Sequence, residues 1–73
     1  MAKYPTGIVI DLKSPQGNVF YLIGLANRLI RELGLSAEEI AEFKQEQSSA
    51  TTYRAHLSLL RKWFGIVFIG NNE

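Results

Sequence analysis

Apolar positions in the middle of the chain recur at a helical period. Val19, Leu22, Ile23, Ala26, Leu29, Ile30 and Leu33 fall at i, i+3, i+4, i+7 spacing, which is one face of a helix. Ser14 is a good N-cap and Pro15 suits the first helical position, where its missing N–H costs nothing. In Leu33-Gly34-Leu35, the glycine can turn left-handed and Leu35 can fold back on the last turn. The pattern therefore predicts one helix over residues 15–33, around which the rest is organised. Its first half is apolar almost all round, because Phe20, Tyr21 and Leu25 lie off the stripe, and this predicts burial on more than one side. Gly24 costs about 1 kcal/mol against Ala in a helix interior, so a close neighbour is expected over it, with ligand approach as the alternative.

Residues 6–12 read as a strand, with Ile8, Ile10 and Leu12 facing the central helix and Val9, Asp11 and Lys13 facing away. Residues 1–5 read as a loose lead-in. Ser36-Ala37-Glu38-Glu39 is a capping box that opens a second helix to about Gln47, anchored by Ile40 and Phe43. Ser48 and Ser49 form the next break, and either can cap a third helix over residues 50–64. There Tyr53, His56, Leu57, Leu60, Trp63 and Phe64 repeat the helical spacing, and Gly65 ends it. Residues 66–69 form a second strand, and 70–73 a tail.

The order is β-α-α-α-β in a single small α+β domain over residues 1–73: three helices packed on a two-stranded sheet made by the N- and C-terminal strands. Helices that alternate up and down would leave the strands parallel. A short second helix that crosses at an angle would not, and antiparallel pairs are two to three times commoner overall. The expectation is an antiparallel pair.

Composition narrows the class. A chain of 73 residues buries only about 60% of its unfolded surface, so stability is modest. The 47% hydrophobic and 21% charged fractions argue against disorder. The lack of cysteine removes disulfides and thiolate metal sites, and fits a reducing compartment. No apolar run approaches the ~18–20 residues of a membrane span and no signal-peptide pattern opens the chain, so a cytoplasmic location is expected. A net charge of +1 says nothing about partners.

Candidate chemistry is thin. The serines and threonines sit at caps without a base-and-orienter arrangement, and Asp11 and Glu32 are too far apart in sequence to be claimed as a pair. His56 is the single histidine and lies on an apolar face. Without cysteine or a second histidine it reads as a packing residue and not a metal ligand. No cofactor, metal or catalytic residue is expected. Residues 14–18, preceded by Lys13, could hold an anion at a helix N-terminus, but one glycine is far from a phosphate-binding loop, and a tight capped turn is the plainer reading.

Two surfaces remain. The strands are apolar on nearly both faces, so a lone sheet would leave apolar side chains in water. Helices on both sides, a second subunit, or a strand added by a partner would resolve this. The candidate partner surface is Val9, Tyr21, Leu25, Val67 and Ile69. The other surface is a basic strip of Arg28, Arg31, Arg54, Arg61 and Lys62, which lacks helix-turn-helix spacing and the basicity of a typical nucleic-acid binder. The expected function is a non-enzymatic protein-interaction module, an adaptor or regulator that binds a protein partner or itself. A weak nucleic-acid binder is the alternative.

The run Ile10-Asp11-Leu12, then Pro15, Gly17, Asn18, Phe20, Leu22, Gly24 and Ala26, resembles a group of small uncharacterised bacterial and phage-associated proteins. They share a pattern like I-D-L-x-x-P-x-G-N-x-F-x-L-x-G-x-A, followed by a helix that ends L-G-L, as Leu33-Gly34-Leu35 does here. The likeness covers the first half of the chain. In the second half only the layout is similar, a helix that ends Trp63-Phe64-Gly65 before a strand. The resemblance implies a shared fold and a bacterial or phage origin, and it carries no activity or site residue across.

Overall fold

The structure is a computed structural model, and residues 2–70 are described. Its elements are β1 (Val9–Asp11), a 3-10 turn (Pro15–Gly17), α1 (Val19–Glu32), α2 (Ala37–Ser49), α3 (Tyr53–Phe64) and β2 (Val67–Ile69). The β-α-α-α-β order is the expected one. Most of the expected tail, residues 71–73, lies outside the described residues.

The strand direction is not the expected one. β1 and β2 are parallel, with Val9 opposite Val67, Ile10 opposite Phe68 and Asp11 opposite Ile69. The cause lies at the end of α3. A helix leaves its last four carbonyls without intrahelical partners, and here the N-terminal segment takes up three of them. Lys3 N–H donates to Lys62 O, Tyr4 N–H to Trp63 O, and Thr6 donates through both N–H and Oγ1 to Phe64 O. The fourth, Arg61 O, accepts from Gly65 N–H, and Gly65 is left-handed at φ 62°. These rungs climb in the same order along both segments. They continue into the sheet through Val67 N–H to Ile8 O and Leu12 N–H to Ile69 O. Capping α3 in this direction fixes a parallel pair. Residues 3–6 are thus a cap and not a loose lead-in.

The central helix also starts later than expected. Ser14 does cap, but it caps the 3-10 turn by accepting from Gln16 N–H. Gly17 lies so close to the Leu12 backbone that a Cβ would collide with it. Asn18 is then extended, and its Oδ1 accepts from Phe20 N–H at 2.7 Å as the true cap of α1. From Val19 the helix runs unbroken to Glu32. It ends as expected, with Gly34 at φ 66° and Leu35 N–H bonded to Ile30 O.

α1 buries Leu22, Leu25, Ala26, Leu29 and Ile30. The buried stripe is therefore rotated from the expected one. Leu25 is 4% exposed, which removes it from the candidate partner surface, whereas Phe20 is 79% exposed and Tyr21 and Leu33 face solvent. One side of the helix holds the core, so the first half is not covered all round. Gly24 is exposed with no atom near its Cβ direction, and the expected close neighbour is missing.

α2 opens with the capping box of Ser36 and Glu39 and buries Phe43, with Ile40 packed beside it. Ser48 and Ser49 do not cap α3. Their hydroxyls donate back to Gln45 O, which prolongs α2, and Thr52 caps α3 by accepting from Ala55 N–H. Phe43 meets Trp63 edge-on at 5.3 Å and Phe64 at 5.5 Å. Such aromatic pairs add about 0.5–1.5 kcal/mol beyond burial. Glu46 closes this cluster by accepting from Trp63 Nε1 and from Lys62 Nζ.

Candidate functional site

The first candidate is the outer face of the sheet. Ile10 and Ile66 point inward and are buried, with Ile8, Leu12 and Phe68 packed against the same core. Period-two alternation then sends Val9, Asp11, Val67 and Ile69 outward. Val9, Val67 and Ile69 are each about half exposed. Parallel sheets are ordinarily covered on both faces, and here the helices cover one. Of the predicted partner surface, the structure brings Val9, Val67 and Ile69 together on two paired strands. Tyr21 is exposed elsewhere, on α1, where its hydroxyl accepts from Gln16 Nε2.

The basic residues do not form a free strip. Arg28 pairs with Glu32 one helical turn on, and Lys62 pairs with Glu46. Arg61 lies over the Phe68 ring, 5.7 Å from its centre. Arg31 sits in the last turn of α1, where its charge complements the helix dipole. Arg54, in the first turn of α3, is itself engaged in an interaction. The 14–18 segment offers no open amides at its turn: Gln16, Gly17, Asn18 and Phe20 N–H all donate within the segment.

The second candidate escaped the sequence reading. A cleft of about 340 Å³ opens at the N-terminal end of α3. Its apolar wall is Val19 and Ile23 of α1 with Ala50. Its polar wall is Gln47 at the end of α2, Thr51 and Thr52 in the link, and Tyr53 and His56 of α3. Tyr53 ties the rim to the 3-10 turn by donating its hydroxyl to Gly17 O. No carboxylate, lysine or arginine is among the lining residues.

His56 is 5% exposed, so its expected burial holds. Neither its Nε2 nor Gln47 Nε2 has a hydrogen-bond partner, although both are buried. Buried polar groups are nearly always bonded, and an unmet one costs about 1–3 kcal/mol. Burial also holds the His56 imidazole below its ordinary pKa of 6.5, which favours the neutral ring. His56 on an apolar face of α3 was the available sequence signal. Gln47 gave none, because a glutamine near a helix end reads as solvent-facing.

The opposite end of α3 has no such deficit. Glu46 is held below the usual carboxylate range, first by the Trp63 indole N–H and then by Lys62. Glu39 is likewise lowered, chiefly because the Tyr4 hydroxyl donates to it, and the same bond raises Tyr4. Lys3 reaches Glu42 at 3.3 Å and stacks over the Trp63 ring at 4.2 Å. Among the described residues, no three of His, Asp or Glu cluster as a metal site, and no helix is long and apolar enough to cross a membrane. No known family model, curated protein or solved structure matches the chain.

Proposed function

We propose that this protein is a non-enzymatic interaction module whose docking surface is the outer face of the β1–β2 sheet. The observation that supports the reading is the bare apolar face of Val9, Val67 and Ile69 on a parallel strand pair. Parallel strands rarely stand with one face in water. A partner's apolar element, or a second copy of the chain, covers that face and excludes water from it. The N-terminal pattern supports an origin among small bacterial and phage-associated proteins, in which the module acts as an adaptor or regulator inside the cytoplasm.

Sedimentation over a concentration series tests the self-association arm. A mass that rises with concentration in the native chain, and not in Val67→Lys, identifies a second copy as the occupant. A native chain that stays monomeric moves the test to cells, with a photo-reactive residue at position 67. A crosslink there to one defined protein, lost when the probe is moved to exposed Gly24, supports the docking face. The absence of both self-association and a crosslink refutes it. Nucleic-acid binding is the weaker reading, because the ion pairs of Arg28 and Lys62 with glutamates reduce the field a phosphate backbone would meet.

A further inference from the structure

The sheet has an edge as well as an outer face, and the two are separate surfaces. Along a strand, successive residues turn their backbone groups to alternate sides. Val67 N–H donates to Ile8 O and Ile69 O accepts from Leu12 N–H, so Val67 and Ile69 bond towards β1. Phe68, between them, turns its N–H and C=O the other way, where the two-stranded sheet ends. Among the described residues neither group has a partner.

The two edges of the sheet differ. On β1 the outward groups belong to Val9 and Asp11, and the chain closes that edge itself. Asp11 O accepts from Ser14 N–H at 3.0 Å and from Ser14 Oγ at 2.6 Å. Asp11 and Lys13 also place charge there, which discourages strand pairing. β2 has neither device. Residues 66–69 carry no charge and no proline. An open, uncharged, apolar edge is a template for another strand.

The strand fits itself. Turned antiparallel about Phe68, β2 of one copy meets β2 of another with Phe68 opposite Phe68, and these two residues exchange both N–H···O bonds. Val67 then lies opposite Ile69 on each side of the axis, a β-branched pair in both places. No like charges face each other along the strands, and a net charge of +1 leaves little repulsion between copies.

We infer that the open edge of β2 pairs antiparallel with β2 of a second copy, about a two-fold axis at Phe68, to give a four-stranded sheet in the order β1-β2-β2-β1. Two strands alone are marginal, and four with one face on helices are not. The axis is perpendicular to the sheet, so both sets of helices lie on one side. Val9, Val67 and Ile69 of both copies then form one apolar band on the other. The inference does not depend on what docks on that band. A three-residue strand buries less than the roughly 800 Å² per partner of a standard interface, so the dimer is reversible and forms at high protein concentration.

Sedimentation equilibrium of the full chain from micromolar to millimolar concentration should show a monomer in exchange with a dimer. A chain made by chemical synthesis with a methyl group on the Phe68 amide nitrogen keeps its bonds to β1 and blocks the edge. It should stay monomeric where the native chain is half dimeric. Val9→Lys charges the outer face on the far strand and should leave the dimer intact. In a mixture of labelled and unlabelled native chains, isotope-filtered NMR should place Val67 Hα against Ile69 Hα of the other copy, because that pair is the close, non-hydrogen-bonded one. A dimer without this contact overturns the pairing. A dimer lost in Val9→Lys and kept in the methylated chain is a face-to-face stack, which overturns the edge and leaves the docking face standing. A native chain that stays monomeric at millimolar concentration overturns the inference, and crosslinking at position 67 still decides the docking face. Should the methylated chain fail to fold, the NMR contact and Val9→Lys decide.

Discussion

The two ends of α3 are opposites. At its C-terminal end each of the last four carbonyls has a donor, three of them from residues 3–6. Aromatic rings pack there, and Glu46 serves both Trp63 and Lys62. At its N-terminal end Thr52 supplies one cap, and a cleft leaves two buried nitrogens without partners. The first end carries the stability of the fold. The second end carries a cost of about 1–3 kcal/mol for an unmet buried nitrogen. In a small domain of modest stability, the contrast separates what holds the chain together from what weakens it.

The sharpest way to break the contrast is Trp63→Ala. It empties the closed end and should cost about 3–5 kcal/mol, enough to unfold much of the population; urea denaturation reads it. At the open end His56→Leu should act in the other direction. It removes an unmet buried nitrogen at similar volume and should raise stability by about 1–2 kcal/mol in the same assay at neutral pH. Thr52→Ala should cost about 1 kcal/mol, since it removes the side-chain cap at the N-terminus of α3. Val67→Thr, on the bare sheet face, should leave the monomer's stability within about 0.5 kcal/mol while it weakens docking.

Acid should resolve the two ends separately. His56 titrates lower in the folded chain than in the unfolded one, so the unfolded state takes up its proton first. Stability should start to fall as pH drops below the ordinary value of 6.5, and His56→Leu should abolish that phase. Glu46 and Glu39 are also lowered, but they are carboxylates. Their contribution is whole above the ordinary value of 4.5 and is lost as pH falls from there through their lowered folded-state values, a second phase that Glu46→Gln should diminish. A single merged acid transition, unchanged in both variants, would contradict the division.

Much of the closed end is legible in the sequence because its signals are local. The capping box at Ser36 and Glu39, the glycine stop at Gly65 and the apolar spacing through Trp63 each lie within a few residues. The strand direction is not local. It depends on Lys3, Tyr4 and Thr6 meeting carbonyls at residues 62–64, and no spacing within either segment encodes that meeting. The 3-10 turn is not legible for a similar reason, since Gly17 is demanded by the Leu12 backbone packed against it. The burial of Leu25 is not legible either, because α1 has more apolar positions than one stripe needs, and packing alone chooses among them. The cleft was invisible because its wall comes from both sides of two connections, and an unmet hydrogen bond leaves no pattern in a sequence.

The pairing of β1 with β2 also sets the timing of biogenesis. On the ribosome, Asp11 is made early but has no neighbour until Ile69 has left the exit tunnel. The nascent helices can form in order as they emerge. The last turn of α3 stays uncapped until residues 62–64 can meet residues 3–6, and β1 stays unpaired until residues 67–69 are made. Completion of the fold therefore waits on contacts between segments far apart in sequence, and until they form the chain depends most on whatever shields its apolar side chains.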